Sequence, residues 1–264
     1  MINQELIDFS NHLADLSSNI AQKYFRTQNH EQDKPDTTPV TLADKGIEKI
    51  IREEIMKKYP DHGIIGEEFG TINLDADFKW VIDPIDGTSS FIIGRPIFGT
   101  LISLTYKNVP ILGVINQPIN NERWLGAKDR GAIFNNKKIE TRKSGSIENS
   151  ILCSTSPVYF KGLDLEFFSK ISSQTKYQKS GGVFYGGDCY LFGLLALGFV
   201  DIIIERGLSS YDFCALVPII EGAGGIITDW SGNKLNIHSN GQILACGDKK
   251  VHEEILKIAQ GFFK

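Results

Sequence analysis

The stretch Trp80-Val81-Ile82-Asp83-Pro84-Ile85-Asp86-Gly87-Thr88-Ser89-Ser90-Phe91 decides how this chain is read. Trp80 to Ile82 is the kind of apolar run that a buried strand uses. It is expected to deliver Asp83 and Asp86 into a tight turn, stiffened by Pro84, whose ring fixes φ. Gly87 lacks a Cβ, so the backbone there can approach a ligand closely. Thr88, Ser89 and Ser90 are N-cap types and predict a helix start. Oxygen ligands from two carboxylates suit hard cations, and the free N–H groups of a helix N-terminus suit phosphate. An Asx-type turn with solvated aspartates is the bland alternative, and it fits poorly behind an apolar strand.

Other segments supply partners for such a site. Ile64-Ile65-Gly66-Glu67-Glu68 is a short apolar run ending in two acids, and Pro39-Val40-Thr41-Leu42-Ala43-Asp44 opens a helical pattern. Far downstream, Tyr211-Asp212-Phe213-Cys214-Ala215 leads to Glu221-Gly222-Ala223-Gly224-Gly225. Taken together, these motifs resemble the inositol monophosphatase superfamily of Mg²⁺-dependent phosphatases. The likeness rests on the D-P-x-D-G-T-x-x-F core, the aromatic-Asp-x-x-Ala segment with its A-G-G end, and Gly-Glu-Glu and Thr-x-x-Asp in order before them. It covers roughly residues 5 to 260, and four ordered motifs are far more specific than any one.

The resemblance implies an α/β fold with layers stacked α-β-α-β-α and a phosphomonoesterase that binds two or three Mg²⁺, with Mn²⁺ able to substitute. It also implies a ligand set. Glu67, Asp83 and the backbone carbonyl of Ile85 would hold one ion. Asp83 would bridge to a second, completed by Asp86 and Asp212. Asp44 would orient Thr88, and with Glu67 these form the expected catalytic group. The N–H groups of Gly87, Thr88 and Ser89 would cradle phosphate. Taken alone, Asp44 reads as a helix-cap residue. Glu68 and Glu221 read as a neighbouring surface acid and a helix-face acid, and His12, His30, His62, His238 and His252 as surface residues.

The segments Phe91 to Ile102, Gly186-Gly187-Asp188-Cys189-Tyr190 and Asp212 to Gly222 are similar to the histidinol-phosphate phosphatase branch of that superfamily. Inositol monophosphatases more often carry a small residue where Asp188 stands and Trp where Tyr211 stands. Histidinol phosphate has an ammonium and an imidazole, to which Asp188 and Glu205 would make charge-assisted hydrogen bonds. Asp188 also reads as the N-cap of the helix that follows. A polyol, sugar or nucleotide phosphatase of the same superfamily is the alternative, and a non-enzymatic binding protein on the same fold is a third class.

Composition sets bounds. The chain has 264 residues, enough for one large core or two closely packed domains. Its net charge of −4 argues against a general nucleic-acid surface. Cys153, Cys189, Cys214 and Cys246 are scattered through apolar stretches, which suits buried thiols rather than disulfides or zinc ligands. No basic-then-apolar leader opens the chain, and no apolar run nears the ~20 residues that span a membrane. The expectation is a cytoplasmic protein acting on a small phosphate ester, and the resemblance adds a homodimer.

Apolar periodicity predicts helices over about 4–26 and 43–59, then strands over 98–106, 111–116 and 123–127, with a hairpin at Asn135-Asn136. The polar stretch from Gln28 to Thr38 reads as a loop without an assigned role. The polar segment from Thr141 to Asn149 marks the boundary between a domain over 1–143, holding most metal ligands, and one over 144–264, contributing Asp212 and substrate contacts. In the second, strands and helices alternate, with one continuous helix expected from Tyr211 to Ala223.

Overall fold

Helix α1 (Gln4–Tyr24) is started by Asn3, whose side chain accepts the Leu6 N–H at 3.0 Å. The computed structural model describes residues 2–27, 31–33, 39–176 and 183–263. Within the stretch read as a loop, β1 (Glu31–Asp33) pairs antiparallel with β2 (Pro39–Thr41); residues 28–30 and 34–38 of it lie outside the described residues. Helix α2 (Leu42–Lys58) follows directly.

The first large sheet is built from β3 (Gly63–Gly66), β4 (Gly70–Ile72), β5 (Phe78–Asp86), β6 (Gly99–Tyr106), β7 (Val109–Gln117), β8 (Glu122–Ala127), β9 (Gly131–Phe134) and β10 (Lys137–Lys138). Their spatial order is β10-β9-β8-β7-β6-β5-β3-β4, antiparallel throughout except between β3 and β5. The short helix α3 (Thr88–Ile92) interrupts it after β5. Asn135 and Asn136 form the predicted hairpin turn, both at positive φ (44° and 65°).

The second half adds β11 (Leu152–Ser154), α4 (Leu163–Ser172), β12 (Phe184–Tyr185), α5 (Asp188–Ala196) and β13 (Ile202–Glu205). Then come α6 (Ser210–Phe213), α7 (Leu216–Gly222), β14 (Ile226–Thr228), β15 (Ile243–Cys246) and α8 (Lys249–Ala259). Its sheet runs β12-β11-β13-β15-β14.

Three apolar clusters fix the layering. Phe9, Leu13, Ile47 and Ile51 pack α1 and α2 on one face of the first sheet, against Trp80, Ile82 and Leu104. Leu195, Phe213 and Ile219 of α5 to α7 fill the space between the sheets, against Val81, Leu101 and Ile115 on one side and Ile203 and Ala245 on the other. Phe167, Val251 and Ile255 of α4 and α8 cover the far face of the second sheet. The order α-β-α-β-α is the layered packing that two-faced apolar sheets demand.

The central layer is close because glycines allow it. A Cβ on Gly113 would lie 1.9 Å from the Ala215 carbonyl oxygen, and one on Gly126 2.3 Å from that of Pro218. These glycines are register partners on β7 and β8, so they form a bare seat for the start of α7.

The helix expected over Tyr211 to Ala223 is instead two, α6 and α7, with Cys214 and Ala215 between them. Pro218 accounts for the break: it has no N–H to continue a ladder, and its ring crowds the carbonyl four residues earlier, at Cys214.

Candidate active site

Strand β5 carries the first acids. It does not end at Ile82, as the sequence suggests, but runs to Asp86 through a bulge: Asp83 pairs with Leu101 and Asp86 with Gly99. Two residues of β5, Pro84 and Ile85, thus oppose the single Thr100 of β6, whose hydroxyl donates to the Pro84 carbonyl at 2.7 Å. In a regular strand, residues three apart point to opposite faces. The extra residue of a bulge cancels that, which brings Asp83 and Asp86 to one site. The missing N–H of Pro84 costs nothing at such an irregularity.

Gly87 caps α3 with φ +85°, a conformation that suits glycine. Thr88 begins the helix and donates its hydroxyl to the Ile85 carbonyl at 3.0 Å; Ser89 is exposed in the same turn. The first-turn N–H groups of a helix have no acceptors within it.

Asp212 arrives from the second half. It is the third residue of α6, and its Oδ2 accepts the Ser209 N–H at 2.6 Å in a capping box. Carboxylate oxygens of Asp83, Asp86 and Asp212 all lie within 4.8 Å of one another. Glu67, just beyond β3, stands outside that tight group, yet after burial it is the largest influence raising the Asp83 carboxyl well above its ordinary range, ahead of Asp86, Asp212 and Asp44. Asp44 is buried in the first turn of α2.

Crowded acids of one sign are expensive without a counter-charge. Burial, then Asp188 and Asp212, drives Asp86 well upward, although its Oδ2 accepts the Cys189 N–H at 2.5 Å. Burial lifts Asp212 to about 6. Asp83 Oδ1 is buried without a hydrogen-bond partner. An all-oxygen donor set, mutual repulsion and an orphaned buried oxygen together fit a hard divalent cation.

A second acid pair flanks this group. Asp188 opens α5 but is not its cap: Gly187 precedes the helix, the first-turn N–H of Cys189 goes to Asp86, and Asp188 itself sits at φ +43°. Its carboxylate turns toward Gly87, Oδ2 lying 2.9 Å from where a Cβ there would stand. Burial pushes Asp188 to about 6, with Arg95 opposing. Glu205, at the end of β13, is buried; its Oε1 accepts the Thr155 N–H at 2.5 Å, and burial lifts it to about 8 with Asp188 adding. The Tyr159 hydroxyl is near enough to Asp188, Glu205 and Asp212 to feel all three.

Sequence motifs did not single out Tyr159, Arg95 or the Cys189 N–H. Arg95 was within reach, lying in the quoted segment after Phe91, but Pro157-Val158-Tyr159 carries no signal. Three bland readings need correction. His62 is half-buried between the rings of Tyr59 and Phe78, and its Nδ1 accepts the Trp80 Nε1–H at 3.2 Å. Glu68 is partly buried, its N–H given to Glu48 at 2.7 Å. His252 is buried and shares a 2.8 Å hydrogen bond with Thr228, because α8 turns that face to the sheet; burial holds its pKa down to about 4. The cysteine reading is met by four buried free thiols and the Glu221 reading by its exposure on α7, while His30 lies outside the described residues. No described helix is long and apolar enough to cross a membrane.

Comparison with known proteins covers this whole architecture. The inositol monophosphatase family model matches residues 2–261. The bifunctional phosphatase IMPL2, chloroplastic, of Arabidopsis thaliana is 44% identical over 256 residues, 94% of this chain and 72% of that protein. A histidinol-phosphatase of Chlorobaculum parvum is 35% identical, covering 88% of this chain and 89% of its own length. Among solved structures, an inositol monophosphatase from Zymomonas mobilis superposes with a TM-score of 0.88 at 42% identity, over 97% of this chain and 98% of that one.

Proposed function

The chain belongs to the inositol monophosphatase family, and from that premise we propose that this phosphoric monoester hydrolase uses Mg²⁺ to hydrolyse L-histidinol phosphate. Asp83, Asp86 and Asp212, with Glu67 and the Ile85 carbonyl beside them, would hold the cations. When bound, such ions offset the phosphate's charge and make water a better nucleophile near neutral pH.

The chain's own groups do the rest of the work in this reading. Gly87 and the first turn of α3 present N–H groups to phosphate oxygens. Thr88, whose hydroxyl donates to the Ile85 carbonyl, would aim the attacking water, and Asp44, buried in the first turn of α2, would act with it. Water exclusion comes from the buried β5 floor and the α5 to α7 layer.

The observation that carries the substrate is the second acid pair. Asp188 and Glu205 lie beside the cation group without belonging to its tight cluster. The acids of the cation group act alike on a neutral-tailed and a cationic-tailed ester, whereas the cationic tail adds an opposite charge for Asp188 and Glu205. The relatives named for histidinol phosphate support the same reading.

The test is a parallel assay of histidinol phosphate and inositol 1-phosphate with Mg²⁺. A kcat/KM at least about 10-fold higher for histidinol phosphate is expected from one charge-assisted bond. Equal or reversed values would assign the protein to polyol esters, the reading that the Zymomonas structure favours.

A further inference from the structure

We infer that Glu48, clamped by Arg52, is a positioning residue that sets where Glu67 stands; this rests on the metal reading of the acid cluster. Helix α2 carries Asp44, Glu48 and Arg52 at successive turns, all three buried. Three charged side chains along one buried helix face are unusual, because ionised groups are rarely buried unless paired. Asp44 belongs to the site. Glu48 and Arg52 do not, so their burial needs another reason.

The hydrogen bonds give it. The Glu48 carboxylate accepts the Glu68 N–H at 2.7 Å and the Phe69 N–H at 3.1 Å, and the Arg52 Nε donates to it at 2.7 Å. The second arm of Arg52 donates to the Gly70 carbonyl. One ion pair therefore holds both backbone polarities of the turn between β3 and β4. On the other side of Glu67, a Cβ on Gly66 would fall 2.0 Å from Glu48 Oε1. That carboxylate is held from three directions and cannot yield. Gly66 is a glycine because Glu48 packs against it, and Glu67 is bracketed by two residues that Glu48 locates.

Nothing apolar anchors this turn. Phe69 is 50% exposed and every residue of β4 is exposed. A buried ion pair contributes little net stability compared with apolar residues of the same volume. It does contribute a fixed geometry, and groups that orient metal ligands typically matter 10- to 100-fold in metal affinity or activity. Because Asp44 lies one turn before Glu48, a single helix face places acids on two sides of the site.

The test uses the full chain with Glu48→Gln and Arg52→Lys. Glutamine is isosteric, but its amide cannot accept both turn N–H groups and the guanidinium. The readout is Mn²⁺ binding without substrate, followed by the EPR signal of free Mn²⁺ well below the melting temperature, together with the Mg²⁺ dependence of turnover. E48Q is expected to weaken Mn²⁺ binding roughly 10- to 100-fold, to raise the half-saturating Mg²⁺ in step, and to recover most of kcat at saturating Mg²⁺. R52K should shift both in the same direction by less. A folded E48Q with wild-type Mn²⁺ affinity overturns the inference, even if its melting temperature falls, since lost packing alone moves only the latter. Should E48Q not fold, unchanged Mn²⁺ affinity in R52K overturns it equally. A wild-type protein that binds no Mn²⁺ at all instead sinks the metal reading itself.

Discussion

Asp201 and Asp83 are both almost wholly buried, 1% and 2% exposed, yet they keep opposite company. Asp201 accepts from Arg142 through both guanidinium arms, with Nε at 2.9 Å, and from the Ile151 N–H at 2.7 Å. It ties the segment that links the sheets to the start of β11 and is fully satisfied. Asp83 faces Glu67, Asp86, Asp212 and Asp44, all of its own sign, and one of its oxygens has no partner. A carboxylate buried for structure is given its counter-charge by the fold. One buried for chemistry, as we propose for Asp83, would take its counter-charge from a bound cation.

Neutralising each aspartate in turn puts that contrast under the greatest strain. Asp83→Asn should reduce phosphate release by more than about 100-fold, beyond what losing an outer-shell partner costs. In metal-free buffer the same variant should melt higher, not lower, because it relieves repulsion; a gain of about 1 kcal/mol corresponds to roughly 2–4 °C. A lower metal-free melting temperature would mean that the cluster is not strained. Asp201→Asn should do the reverse, destabilising by about 1.5–3 kcal/mol as charged hydrogen bonds from the half-exposed Arg142 to a buried carboxylate are lost. Its turnover per folded molecule should stay near wild type, measured by pairing active-site titration with calorimetry.

The next substitution asks whether Asp188 belongs with Asp83 or with Asp201. Asp188→Asn should lower kcat/KM for histidinol phosphate roughly 10- to 100-fold and affect inositol 1-phosphate much less. An Asn variant with full histidinol phosphate activity would place Asp188 among the structural acids.

The last expectation is in pH. Asp188 and Asp212 titrate near 6 and Glu205 near 8 in the folded protein, all above their unfolded values. Groups raised in this way favour the fold below the unfolded pKa, and that contribution is lost as pH rises through the folded one. Metal-free protein should therefore lose stability continuously from about pH 4 to pH 8. Saturating Mg²⁺ should flatten the slope. A metal-free protein that gains stability over that range would contradict the crowding.

Much of the site was legible because its residues are local in the chain. Asp83, Pro84, Asp86, Gly87 and Thr88 lie within six positions of one another, and a motif that short announces its chemistry. Glu67, Asp44 and Asp212 were legible only through resemblance, since nothing in a lone acid says which distant acid it meets. Glu48 was not legible at all: on α2 it reads as one more polar helix residue, and only the turn from Glu67 to Gly70 reveals its use. Asp188 was read as either cap or ligand group, and the φ of +43° and the turn toward Gly87 belong to neither helix periodicity nor composition.

The five-layer order came from the resemblance; the sequence by itself determined the alternation of elements and the acids and glycines around Asp83. Those follow from local patterning, where each residue's preference acts over a few neighbours. Only the tertiary structure decided that a bulge opposite Thr100 turns Asp83 and Asp86 to the same side, and that Glu48 reaches across to hold Glu67's turn. Each of these depends on strand register or on a hydrogen bond between segments far apart in the chain, and register and long-range partners are settled by packing the whole molecule at once.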